Sequence, residues 1–176
     1  MGYKVEKKIS LAAPRLKVWE TYRDELVSIG ETMPAVESIE TLDRTENGNK
    51  VSLENKWSIS GNIPKTIRNI IPKNLLTYKD VAIWDQSTMI CSFEEEPFDG
   101  SGIYYCRGQN IFEENENGTI LTIQLELTIY PDKIPGIPSF LIKPVLSKIE
   151  KFVTKEVAKN LEATAKVVVE YANKNK

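Results

Sequence analysis

Apolar and polar residues alternate from the first turn of the chain. Val5, Ile9 and Leu11 fall on one side of an extended segment, and Lys4, Glu6, Lys8 and Ser10 fall on the other, which predicts a strand over residues 3–11. The period then changes. Pro14 suits the first turn of a helix, where its missing N–H would be unpaired anyway, and Val18, Trp19, Tyr22 and Leu26 follow at helical spacing as far as Gly30 or Pro34. Three dipeptides that tolerate positive φ, Asn47-Gly48, Asp99-Gly100 and Asn117-Gly118, predict tight hairpins.

With each dipeptide at the centre of its turn, cross-strand partners follow by counting. The first hairpin sets Leu42 opposite Leu53, Glu40 opposite Asn55, Ser38 opposite Trp57 and Val36 opposite Ile59. The second sets Phe93 opposite Cys106 and Cys91 opposite Gly108, and the third sets Phe112 opposite Ile123 and Asn110 opposite Leu125. These registers agree on one buried face of Met89, Cys91, Phe93, Tyr104, Cys106, Phe112, Ile123, Leu125 and Leu127. Ser92, Glu94, Arg107, Gln109, Gln124 and Glu126 take the other face.

Residues 76–84 read as a further strand whose facing is open, because Asp85-Gln86-Ser87 is a weak turn signal. Before it, residues 64–71 form a short helix or an irregular connection, with Ile67, Ile70 and Ile71 on one side. A long amphipathic helix closes the chain from Pro144 to Ala172. Leu146, Ile149, Val153, Val157, Leu161 and Val168 form its apolar stripe, and Lys148, Lys155, Lys159 and Lys166 lie opposite.

Composition narrows the chemistry. The 176 residues contain no histidine, which excludes Ser-His-Asp triads, Cys-His dyads and histidine-ligated zinc. A net charge of −2 removes the electrostatic argument for nucleic acid. Cys91 and Cys106 read as reduced core thiols, and the first residues lack the apolar stretch of a secretory signal. We therefore expect a single cytoplasmic domain over residues 1–176 with no metal and no cofactor.

The order strand, helix, six antiparallel strands, long helix resembles the START-like helix-grip superfamily, which includes the polyketide cyclases. Three stretches carry the resemblance: Ile9-Ser10-Leu11-Ala12-Ala13-Pro14 leading to Val18-Trp19, Met33-Pro34-Ala35-Val36 through Glu40, and the closing helix. Within the superfamily, Asn62-Ile63-Pro64 through Arg68 and Tyr78 to Trp84 look most like a START-like family of unassigned function. The resemblance implies an α+β fold, a curved antiparallel sheet wrapped around the terminal helix. It also implies a hydrophobic small molecule or lipid held in a cavity between them. The residues expected to line that cavity are Glu40, Asn55, Trp57, Tyr78, Met89, Phe93, Tyr104, Leu125, Val153 and Val157. The same apolar side chains also describe a filled core.

Polar residues on the inward face sharpen the expectation. Glu40 opposite Asn55 would hold a ligand oxygen or act as a base; alternatively the two bond each other, or Glu40 lies at an open sheet end in water. Lys7 interrupts the first strand's apolar face, and the resemblance puts that strand beside Glu40, so a Lys7–Glu40 ion pair competes with Lys7 reaching solvent. Arg107 and the run Glu94-Glu95-Glu96 read as solvated. Residues 63–71 are a candidate lid. Residues from 138 onward carry a net +4, so the Lys face of the terminal helix is either an ordinary wet surface or a contact for anionic membrane.

These features favour binding or transport of a hydrophobic molecule without catalysis. A cyclase- or dehydratase-like enzyme using Glu40, Tyr104 or Lys7 is the first alternative. A protein-interaction module without ligand is the second. The oligomeric state is open.

Overall fold

The computed structural model describes residues 2–60, 76–152, 155 and 157–175. The expected lid at 63–71, the helix at 64–71 and Val153 lie outside the described residues. Seven antiparallel strands form one sheet: β1 (Gly2–Leu11), β2 (Val36–Asn47), β3 (Lys50–Ile59), β4 (Thr77–Asp85), β5 (Ile90–Pro97), β6 (Tyr104–Asn115) and β7 (Gly118–Ile129). Their spatial order is β1-β7-β6-β5-β4-β3-β2. β1 and β2 are therefore opposite edges and not neighbours, which rules out the Lys7–Glu40 pair.

Helices α1 (Arg15–Asp24) and α2 (Leu26–Gly30) replace the one helix expected there, separated by Glu25 at φ −113°, ψ 3°. Pro14 stands just before α1, and its carbonyl accepts the first helical bond from the Val18 N–H at 3.0 Å. The terminal helical stretches are α3 (Ile142–Phe152) and α4 (Ala158–Lys174), with Pro144 in the first turn of α3. No helix among the described residues is long and apolar enough to cross a membrane.

Turn chemistry explains where the hairpins depart from the counted registers. In the first, Asn47 pairs with Lys50, so Gly48 at φ +59° takes the first central position. In the third, Asn115 pairs with Gly118, and the Asn115 side chain accepts the Asn117 N–H at 3.0 Å. In the second, Pro97 and Tyr104 bound a longer loop, and Asp99 accepts the Ser101 N–H. Phe112 thus pairs with Leu121, and Cys91 with Asn110, each two residues from the expected partner. A slip of two preserves the faces, so the expected inward set is correct.

The β2–β3 register differs in a way that matters. Val36 pairs with Ile59 as expected, but irregularities at Val36/Ser38 and Thr41/Asp43 shift the ladder. Ile39 turns inward opposite Trp57, and Glu40 faces solvent opposite Lys56. Glu40 is not a cavity residue.

Two apolar clusters cover the inner face. The larger centres on Trp19, Trp84 and Phe112, whose rings meet edge-on or tilted at 4.9–6.0 Å between centroids, and it includes Val18, Ile29, Leu121, Ala165 and Val168. The smaller joins Tyr3, Ile103, Ile129 and Ile134 to Val145, Leu146 and Ile149 of α3. Helix α4 packs on α1, α2 and β1, and Lys17 and Asn173 supply hydrogen bonds across that junction.

Gly108 lets the sheet close up in the middle. A Cβ there would run into the Gln124 carbonyl oxygen and lie 2.5 Å from Phe93 Cζ. Gly108→Ala should therefore lower the unfolding free energy by at least about 2 kcal/mol, measured by urea denaturation. Gly48→Ala, in a turn with open space, should cost less.

Candidate functional site

Side chains on one pleat line up across the sheet, and one such row is polar. Asn55 of β3 pairs with Asp80 of β4, Asp80 with Glu95 of β5, and Glu95 with Cys106 of β6. Leu127 and Tyr3 complete the row. The flanking rows are apolar or aromatic. Leu53, Ala82, Phe93, Gly108 and Leu125 lie on one side, and Trp57, Tyr78 and Pro97 on the other, with Tyr104 beside Ile129. Phe93 and Trp57 pack against the larger cluster, and Tyr104, Leu127 and Val157 pack against the smaller. The polar row thus lies where the two clusters meet.

Alternation along the strands dictates this placement. Cys91 and Phe93 point inward, so Glu95, two residues on, does too. Trp84 and Ala82 point inward on β4, and Asp80 continues the series, 8% exposed. Asn55 is buried and donates to Asp80 Oδ2 at 3.2 Å, while its own oxygen accepts the Thr41 hydroxyl at 2.9 Å. Trp57 stacks on Tyr78 with centroids 5.9 Å apart and rings 8° from parallel. Its indole N–H is buried close to the Asp80 carboxyl and favours that group's ionised form.

Burial controls the electrostatics. It pushes the Asp80 carboxyl up to about 6, and the Asn55 amide and the nearby Trp57 indole offset only part of the effect. Burial, reinforced by the Asp80 charge, pushes Glu95 up to about 8, although the Cys106 thiol bonds to its carboxylate. Near neutral pH the pair therefore holds one proton, one member an acid and the other a carboxylate. Burial and the Glu95 charge raise the Cys106 thiol, and burial with Asp80 raises Cys91, so neither is a thiolate nucleophile. Tyr78 and Tyr104 are likewise raised, first by burial and then by Glu95, and stay protonated as hydrogen-bond donors.

Of the residues expected from the sequence, Asn55, Trp57, Tyr78, Phe93, Tyr104 and Leu125 come together on this inner face. Met89 is core: it is 8% exposed, at φ +56°, and its carbonyl accepts the Phe112 N–H. Val157 sits at the start of α4 against the smaller cluster. Lys7 does face inward, but its partner is Glu162 on α4, at 2.5 Å. Sequence reasoning missed Asp80, because the facing of β4 was open. It missed Glu95 because three consecutive glutamates look like a solvated run, although parity with Cys91 and Phe93 identifies the middle one. A broad, open depression of about 780 Å³ is lined from the opposite face by Lys4, Glu6, Arg107 and Glu126 and by apolar residues that include Val81 and Ile83. Arg107 and Glu126 pair there at 3.1 Å, and the depression is open to solvent.

No protein-family model matches this sequence, and a search of curated proteins finds no match either. Solved structures do match over nearly the whole chain. The Thermus thermophilus protein TTHA0849 superposes with a TM-score of 0.66 at 17% identity, covering 100% of this chain and 99% of its own. The ZhuI aromatase/cyclase from Streptomyces sp. R1128 gives 0.66 at 15% identity, covering 98% and 94%. Norcoclaurine synthase from Thalictrum flavum, solved with dopamine and hydroxybenzaldehyde, gives 0.65 at 13% identity, covering 100% and 89%. The chain therefore has the START-like helix-grip fold, an α+β arrangement of curved sheet and C-terminal helix.

The raised carboxyls carry a sign for stability. Both bind protons more tightly when folded than when unfolded, so between pH 4.5 and 8.5 the native state holds more protons and stability falls as pH rises. Glu95→Gln should remove roughly 2–4 kcal/mol of that fall. Urea denaturation of both proteins at the two pH values measures it, and parallel pH profiles would contradict a buried Glu95.

Proposed function

We propose that this chain binds a small, largely apolar molecule between the inner face of the sheet and the C-terminal helices. The polar end of the ligand rests on the Asp80–Glu95 row, and its apolar body contacts Trp57, Tyr78, Phe93, Tyr104, Leu125 and Val157. The observation that carries the reading is the polar row itself. A folded core gains nothing from two adjacent inward-facing carboxyls, whereas a ligand oxygen or nitrogen would bond to them. The fold supports the reading, since a structural neighbour holds two small aromatic molecules.

The carboxyl pair favours a second reading, an enzyme that rearranges or dehydrates its bound molecule. Glu95 as the neutral acid would donate a proton, and Asp80 as the carboxylate would accept one. Glu40 and Lys7 have no part in it, the first facing solvent and the second paired with Glu162.

Native mass spectrometry of protein purified from its host should show a one-to-one adduct that denaturation removes. Trp57→Leu should weaken rebinding of that molecule about tenfold. A clean apo mass, unchanged after incubation with a lipid extract, would contradict the binding reading. If the molecule is also turned over, Glu95→Gln and Asp80→Asn should lower the rate at least about 100-fold while binding holds within a few-fold. Unchanged turnover in both would leave a carrier.

A further inference from the structure

We propose that the end of the molecule carrying Phe98, Tyr130, Phe140 and Leu141 docks on an anionic lipid surface. They are 42%, 38%, 78% and 41% exposed and the chain brings them to one end, whereas the other exposed large apolar residues among those described, Leu16, Val27, Leu42 and Ile83, lie on other elements. Phe98 opens the β5–β6 loop, and that loop is tied to the segment after β7 by the Tyr130 N–H on the Ile103 carbonyl at 2.8 Å. Ile103, Ile134 and Val145 share the smaller cluster, which seats the loop, the segment after β7 and the head of α3 together. Phe140 and Leu141 form the 3₁₀ turn that leads directly into α3.

Lysines frame this apolar end. Lys56 lies over the Phe98 ring at 4.7 Å, Lys133 lies over Tyr130 at 4.8 Å, and Lys143 is exposed two residues beyond Leu141. The acidic groups nearby are Asp99 and Asp132, with Glu40 opposite Lys56 and Glu96 paired with Lys79 at 2.8 Å; Asp99 accepts the Ser101 N–H. Aromatic side chains with lysines at their base match a bilayer interface, where rings sit at headgroup depth and ammonium groups reach the phosphates. The Lys face of the terminal helix is the poorer candidate. Lys148, Lys155, Lys159 and Lys166 are exposed, but among the described residues of α3 and α4 no large apolar side chain is exposed beside them. That face attracts anionic lipid without inserting into it.

The proposal does not depend on the cavity ligand, so the two can fail separately. The test is sedimentation of the full chain with phosphatidylcholine vesicles containing about 30% phosphatidylserine, and with phosphatidylcholine alone. Binding to the anionic vesicles should be at least about tenfold stronger, and about 0.5 M salt should weaken it. Phe140→Ser with Leu141→Ser should reduce it at least about tenfold with unchanged circular dichroism, because both residues are exposed. Lys148→Glu with Lys159→Glu should change it less. Absence of binding, or equal binding by the Phe140/Leu141 variant, would overturn the proposal. So would light scattering that shows a dimer dissolved by the same substitutions, because a second copy would then cover the patch.

Discussion

Two carboxyl groups meet across β4 and β5 on the inner face of the sheet, Asp80 buried and Glu95 half-buried, and the chain must bear the cost of shielding them from water. A buried carboxylate without a counter-charge is among the least favourable groups a fold can carry. Here the cost is limited in three ways. Asn55 donates to Asp80, Cys106 bonds to Glu95, and the charge of Asp80 favours the neutral form of Glu95. The surrounding structure keeps the arrangement in place. The two apolar clusters fix the strands on either side, and Gly108 lets Phe93 lie close against the sheet next to Glu95.

The curvature and pairing of the sheet determine what the site can do. Because β1 and β2 are opposite edges, the inner face is crossed by continuous rows from β3 to β1. A row that begins with an amide and continues through two carboxyls and a thiol makes a polar line across an otherwise apolar floor. In the proposed binding reading, such a line would orient a molecule by its polar end and leave the rest to apolar contact. The same line is compatible with proton transfer, since its two acids differ in protonation state at one pH.

Alternation of apolar and polar residues makes most of the inner face legible in the sequence. Counting from the Asp99-Gly100 and Asn117-Gly118 dipeptides misses the partners by two residues, and an even slip keeps every side chain on its face. Irregular pairing is different, because it has no signature in apolar alternation. The shift between Val36 and Ser38 turns Glu40 outward and removes a plausible acid–base residue from the site. Asp80 is illegible because the turn after it is held by the Asp85 carboxylate on Ser87, a local bond that fixes no register from sequence. Glu95 is legible in principle. Lys7 facing Glu162 depends on where the last helix crosses the first strand, and only the assembled fold supplies that.

The most direct test of the central claim is a carbon-13 NMR titration of the aspartate and glutamate carboxyls. The account predicts two carboxyls titrating well above the rest, Asp80 near 6 and Glu95 near 8, with the Glu95 transition moving down in Asp80→Asn. All carboxyls titrating below about 5 would contradict it, because Asp80 and Glu95 would then be solvated or neutralised and the inner face would hold no carboxylic acid at neutral pH.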